Sequence, residues 1–293
     1  LIMVASVHEN HPICGASCTH NGKHENKTWT AAAEPSEMWS ANTNYYLTQD
    51  IKLDKTWSPK HNVTLCLNGY SIIADGDFDA IEVSAGYTFT LCDCNGGGEI
   101  THAEGKTGAG VYMKGAEGNN KTAIFDMYGG TISGNTGHKE TVGGAETTRG
   151  GGVYVDNDAR FHMYGGTITG NTAAQGGGVY YVASNRLYVS GKVDITGNKG
   201  TDGEANNVYV LPARGATPPT VPFYIGPDNL DASARIGVRV DDNVIATGAH
   251  SPVAQFVSSQ NAESAYHEGN FISDNGEPYG FKMEPKDSAH TGI

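Results

Sequence analysis

Basic charge is what this chain has least of. Lys and Arg number 19 against 32 Asp and Glu, giving a formal net charge of −13, and the four types together make only 17% of the residues. About 25% is ordinary for a globular domain. Proteins that hold nucleic acid or anionic lipid concentrate Lys and Arg, and no basic run occurs here, so nucleic acid is not expected as a partner. No apolar stretch approaches the roughly 18–20 residues of a membrane-spanning helix, so membrane insertion is not expected either. Long helices are disfavoured too: 40 Gly and 11 Pro punctuate the chain, and each interior Gly costs a helix about 1 kcal/mol. Those glycines follow no collagen-type period and form no Walker or Rossmann motif. Aromatics at 9% are too many for a disordered chain. The absences leave a turn-rich, β-dominated protein whose 293 residues allow one large domain or two small ones.

The five cysteines are unevenly placed. Cys14 and Cys18 sit in a His-rich prefix, while Cys66, Cys92 and Cys94 sit in apolar, strand-like runs. An odd count leaves at least one outside any intrachain disulfide and permits an oxidising compartment without requiring it. The opening Leu1-Ile2-Met3-Val4-Ala5-Ser6 resembles the tail of an apolar signal but is too short to establish export.

What is present is a repeat. Met127-Tyr128-Gly129-Gly130-Thr131-Ile132-Ser133-Gly134-Asn135 recurs from Met163 to Asn171, and a looser copy ends at Asp194-Ile195-Thr196-Gly197-Asn198. A second signature places Tyr112, Tyr154, Tyr180 and Tyr209 inside Val-Tyr runs. Steps are 36 and 27 residues in the Asn series and 42, 26 and 29 in the Tyr series. Each repeat holds three short β-type runs separated by Gly- or Asn-rich turns. Such runs alternate with period two and bury nothing alone, so each must stack on its copy in the next repeat. The 26-to-29-residue step suits a triangular coil, and the longer steps read as the same coil with loop insertions.

These stretches, "MYGGTISGN", "GGGVYV" and "VTLCLNGYSI", resemble right-handed parallel β-helix modules of the pectate-lyase-like superfamily. In particular they resemble Gly-rich modules of large secreted or wall-attached surface proteins of Gram-positive bacteria. The resemblance covers about residues 28–280 and implies an all-β, three-sheet solenoid, a right-handed parallel β-helix of roughly seven coils with capped ends. Along the chain, 1–27 is expected as a flexible His/Cys-rich prefix and 28–44, with Trp29 and Trp39, as an N-terminal cap. Residues 45–241 form the coils, and 242–293 form a C-terminal capping region and tail. The resemblance says little about activity, because the superfamily holds lyases, hydrolases, adhesins and passive stalks.

Alternation predicts that Val111, Met113, Phe125, Met127, Val153, Val155, Phe161, Met163, Ile168, Val179, Leu187, Val189 and Ile195 face inward. Asn135, Asn171 and Asn198 share one turn position and predict an amide ladder, with simple left-handed turn geometry as the alternative. Cys66 and Cys92 hold equivalent positions in adjacent coils and predict a Cys66–Cys92 disulfide, or Cys66–Cys94, against free thiols.

Chemistry is harder to find. His8, His11, Cys14, Cys18, His20 and His24 pack six candidate metal ligands into 17 residues, a donor set suited to zinc. Their spacing matches no standard finger, and a Cys14–Cys18 disulfide competes. Asp75, Asp77 and Asp79 alternate as a calcium chelate would, against a solvated turn. No cofactor is otherwise expected. No polygalacturonase-type set of Asp, His and basic residues occurs together, and Asp241-Asp242 lies beyond the regular coils.

The expectation is therefore a non-catalytic secreted or cell-surface module, adhesin-like or glycan-contacting, within a larger protein. Its partner is a glycan or a host or cell-surface protein, together with further domains of the same parent. A glycoside hydrolase or polysaccharide lyase is the alternative, and an inert spacer a further one. Contact candidates are the tyrosines of two outward columns: Tyr112, Tyr154, Tyr180 and Tyr209 on one sheet, and Tyr128 and Tyr164, with His162 and Tyr188 alongside, on another. Flat rings beside hydroxyl and carboxylate groups suit sugars; cross-strand stacking is the purely structural account.

Overall fold

The structure, a computed structural model, describes residues 8, 10–13, 25–116, 121–182, 186–211, 223–240, 254–255, 269–275 and 283–284. Burial alternates along the strands. In Asn44–Leu47, Ile81–Ser84, Glu99–His102 and Ile124–Met127 every second residue is buried. A four-residue strand buries that face only against copies of itself. Nineteen strands join in one sheet, through parallel, in-register pairs that resolve into three ladders. The one helical element among the described residues is a 3-10 turn, Pro35–Glu37. The protein is thus all-β and solenoid-like.

Ladder A stacks Thr30–Ala32, Asn44–Leu47, Val63–Cys66, Thr88–Cys92 and Ile124–Met127, then Arg160–Thr169, Arg186–Ile195 and Phe223–Leu230. Ladder B runs from Ile51–Leu53 through Ile72–Ala74, Glu99–His102 and Thr131–Ser133 to the second halves of the two ten-residue strands. It ends on Arg235–Val240 and Phe271–Ser273. Ladder C carries Ile81–Ser84, Val111–Lys114, Val153–Val155, Val179–Val182, Val208–Leu211 and the end of Arg235–Val240. Arg160–Thr169 turns the corner between ladders A and B, where the register shifts after Met163.

The core lies where the ladders face one another, and all thirteen residues expected to point inward are buried. In ladder B, Ile51, Ile72, Ile100, Ile132, Ile168, Ile195 and Ile236 follow one another in a single column closed by Phe271. In ladder A, Phe125 stacks between Phe89 (centroids 5.4 Å) and Phe161 (5.0 Å). In-register stacking repeats one shape at each level, so a ring that fits once fits on its neighbour.

The asparagine ladder forms. Asn135, Asn171 and Asn198 are buried, and each side-chain amide donates to the next Oδ1, at 2.9, 2.9 and 3.0 Å, with Asn207 as the fourth rung. Gly134, Gly170 and Gly197, at φ 66°, 65° and 70°, make the left-handed turn that aims each amide inward. Asp274 receives Asn207 Nδ2 at 3.0 Å and Asn207 N at 2.7 Å, ending the column. At the other end His102 Nδ1 lies 2.7 Å from Asn135 Oδ1, and its Nε2 2.7 Å from the Phe78 carbonyl.

At the N-terminal end Trp29 and Met38 are buried while Trp39 is exposed. This segment, expected as a cap, already contributes a ladder strand, Thr30–Ala32. The long step in the tyrosine series is an insertion: His138–Val142 and Ala145–Arg149 form an antiparallel hairpin outside the ladders.

Candidate functional site

Three features of the outer surface hold chemistry. The first is the tyrosine column of ladder C. Tyr112, Tyr154, Tyr180 and Tyr209 occupy one register position, flanked by Glu82 before and Arg239 after. Their ring centroids are 5.3, 5.2 and 6.1 Å apart. The column is present, but it is not an open face: Tyr154, Tyr180 and Tyr209 are 5%, 1% and 7% exposed.

The hairpin lies against it. His138 stacks on Tyr112 at 4.2 Å and tilts against Tyr154 at 5.2 Å. Arg149 places its guanidinium 4.8 Å from the Tyr180 ring centre and is ion-paired to Glu140. Gln175 accepts from Arg149 Nε at 2.8 Å and donates to the Tyr209 hydroxyl at 3.2 Å. Burial first, then the Asp156 carboxylate for Tyr112 and the Glu140 carboxylate for Tyr154, pushes these hydroxyls well above the ordinary phenol range. His138 Nδ1 lies 2.6 Å from Asp79 Oδ2. Burial opposes its charge, but Asp79, Glu140 and Asp156 outweigh burial and raise its pKa above 6.5.

The second feature is the outer face of ladder A, where two columns run side by side. One carries Tyr46, Cys66 and Cys92 in register and continues through Tyr128 and Tyr164, whose rings stack at 4.7 Å. The other carries Asp126, His162, Tyr188 and Tyr224. His162 Nδ1 meets Asp126 Oδ1 at 2.7 Å, its ring edges onto Tyr188 at 4.7 Å, and Tyr188 stacks on Tyr224 at 4.8 Å. All of these rings from Tyr128 onward are half-buried. Tyr224 escaped the sequence reading because the Pro-rich stretch before it breaks the repeat.

The third feature is a cluster beside the N-terminal part of ladder A. His8, His11, Cys66 and Cys94 bring one ligand atom each within 4.8 Å of one another. Of the six prefix residues considered as metal ligands, His8 and His11 are therefore joined by Cys66 of ladder A and by Cys94 just beyond it; Cys14, Cys18, His20 and His24 lie outside the described residues. His8 stacks on Tyr46 at 4.0 Å and His11 on Trp29 at 4.4 Å. The His11 carbonyl accepts from Trp29 Nε1 and from Lys27 N, both at 3.0 Å. Burial, then His11, lowers His8 to about 4. The crowded thiols resist ionisation: the hydrogen bond to Cys92 leads for Cys66 and that to Cys66 leads for Cys94, and burial adds to both.

The Cys66–Cys92 disulfide does not form, nor does Cys66–Cys94: all three are free thiols. Parallel neighbours keep their Cβ atoms apart by about the 4.8 Å strand spacing, whereas a disulfide draws them to about 3.8 Å. Cys94, beyond the strand end, turns back so that its Sγ is 3.3 Å from Cys66 Sγ. Cys14 and Cys18 as a disulfide pair fall outside the described residues.

Asp75, Asp77 and Asp79 do not converge. Asp77 accepts from Thr107 N and Oγ1 at 3.0 and 3.1 Å, Asp79 from Ala109 N at 2.9 Å; these carboxylates staple adjacent turns. A groove of about 820 Å³ runs beside the first strand of ladder B, lined by Pro35, Lys52, Asp54 and Trp57 among others. It shares no residue with the outer aromatic columns or the cluster.

Compared with known proteins, the chain matches no family model, no curated protein and no solved structure.

Proposed function

We propose that this chain is a non-catalytic module of a larger secreted or cell-surface protein, and that it contacts glycans through the half-buried aromatic face of ladder A. On this reading the ladders wind as a right-handed parallel β-helix of roughly seven coils, of the pectate-lyase-like type found in Gram-positive surface proteins. The observation that carries the glycan reading is the paired stacking of half-buried rings, Tyr128 on Tyr164 and Tyr188 on Tyr224, beside the His162–Asp126 pair. Ring faces suit the C–H patches of sugars, and the flanking imidazole, carboxylate and hydroxyls suit their hydrogen-bonding rims. Each column sets its rings at successive levels of the strand spacing, which fits a chain ligand better than a single small molecule.

The buried column of ladder C is an internal control. A sugar reaches Tyr154 or Tyr180 only by displacing the hairpin, so those rings support structure.

The test is a glycan array on the purified chain, with melting temperature followed in parallel for Tyr164→Ala, Tyr188→Ala and Tyr154→Ala. The first two should abolish glycan retention at a stability cost of about 0.2–1 kcal/mol per lost pair. Tyr154→Ala should lower stability and leave retention intact. Retention unchanged in Tyr164→Ala and Tyr188→Ala, or no retention by the wild type, defeats the reading in favour of a spacer. Release of reducing sugar or unsaturated product defeats it in favour of an enzyme.

A further inference from the structure

We infer that His8, His11, Cys66 and Cys94 form a Cys2His2 zinc site that clips the N-terminal segment onto the flank of ladder A. The inference is independent of the glycan reading and rests on geometry. In a tetrahedral zinc site, with Zn–S near 2.3 Å and Zn–N near 2.0–2.1 Å, neighbouring ligand atoms stand about 3.3–3.8 Å apart. Here His11 Nε2 is 3.2 Å from His8 Nε2, His8 Nε2 is 3.3 Å from Cys94 Sγ, and Cys94 Sγ is 3.3 Å from Cys66 Sγ. Three edges of a zinc tetrahedron are therefore already sketched by the protein, slightly contracted, and the sulfur–sulfur edge opens from 3.3 Å to about 3.8 Å on binding.

The surroundings orient the ligands. His11 donates from Nδ1 to the Pro12 carbonyl at 2.6 Å, which leaves Nε2 as the nitrogen with the lone pair. Tyr46 and Trp29 wall the two imidazole planes. The backbone N–H of Cys94 points at Cys66 Sγ, 3.4 Å away, and would stabilise negative charge on that sulfur.

Two thiolates with two neutral imidazoles are the set zinc prefers; calcium and magnesium take oxygen. Binding displaces two thiol protons to solvent, so the dication and two thiolates sum to no net charge in a partly buried place. The four ligands come from three separate stretches, with 54 or more residues between the histidines and the cysteines, so no finger-type spacing announces them. A disulfide between Cys66 and Cys94 excludes this site, since it consumes both donor sulfurs.

The experiment uses the full chain, purified under reducing conditions, with zinc measured per chain and Co²⁺ substituted as a spectroscopic probe. About one zinc per chain is expected, and Co²⁺ should give tetrahedral d–d bands with thiolate charge transfer. Those bands should vanish in Cys66→Ser, Cys94→Ser and the His8→Ala/His11→Ala pair, and persist in Cys14→Ser/Cys18→Ser. The histidine pair lies outside the ladders, so unchanged far-ultraviolet circular dichroism in that variant separates lost binding from lost folding. The inference is overturned by a reduced chain that binds no metal. It is equally overturned by bands that survive Cys94→Ser, by bands lost with Cys14 and Cys18, or by a Cys66–Cys94 disulfide in the zinc-treated protein.

Discussion

Asn171 donates from its side-chain amide to Asn198 Oδ1 at 2.9 Å, and its backbone N–H reaches the same oxygen at 3.2 Å. Its own Oδ1 receives the same two donors from Asn135. Its Nδ2 also serves the Ile132 and Thr169 carbonyls, at 2.9 and 3.0 Å. One amide thus satisfies polar groups on three levels of the stack. Asn171→Leu strands several of them in a dry interior, each worth about 1–3 kcal/mol. Denaturant unfolding should show a loss of at least about 3 kcal/mol. A loss below 1 kcal/mol would mean that the ladder is incidental to stability.

The last rung behaves differently because it is a carboxylate. Burial raises the Asp274 pKa above its ordinary 3.8, only partly offset by Asn207. A raised folded-state pKa favours the protonated form. Its stabilising contribution is complete below about 3.8 and is lost as pH rises through the raised value. Asp274→Asn supplies a neutral rung like the others. The variant should be at least as stable as the wild type at pH 7 and lose that part of the pH dependence. Melting curves across the acid range decide it; a variant clearly less stable at pH 7 would show that the charge itself is needed.

His138 and Asp79 pin the hairpin over the tyrosine column. The raised His138 pKa makes this contribution complete below 6.5, declining as pH climbs through the higher folded value. Limited proteolysis at the exposed Gly143-Gly144 turn should therefore quicken on the alkaline side of that window. Asp79→Asn should remove the pH dependence while keeping the acceptor for Ala109 N, which lies 2.9 Å from Asp79 Oδ1. An Asp79→Asn profile that still follows the wild type would rule the pair out.

Phe125 is fully buried between two stacked phenylalanines. Phe125→Ala opens a cavity that rigid strands on either side cannot close, and should cost about 3–5 kcal/mol. Equilibrium unfolding checks it; a cost under 1 kcal/mol would mean the core collapses around the gap.

The residues of the repeat announced much of this architecture. When copies stack in register, a residue's place in the repeat is its place in space, so Tyr154 had to lie between Tyr112 and Tyr180, and Asn171 between Asn135 and Asn198. Alternation likewise determined that Phe125 and Met163 face inward, because a strand has only two sides. The hairpin was legible as an insertion through the 42-residue step. Its resting place was not, since that depends on His138 finding Asp79 and on Arg149 finding Tyr180.

The same limit applies to the polar ends and the cluster. His102 and Asp274 close the asparagine column from outside the repeated motif. Cys66 meets Cys94 rather than bonding Cys92 because the chain turns back after the strand, a change of direction that strand periodicity does not encode. His8 reaches Cys94 across 86 positions because Tyr46 and Trp29 offer flat surfaces to two imidazoles. Local repetition determined what is periodic; contacts between unlike parts of the chain rest on shape and charge that exist only once the ladders are built.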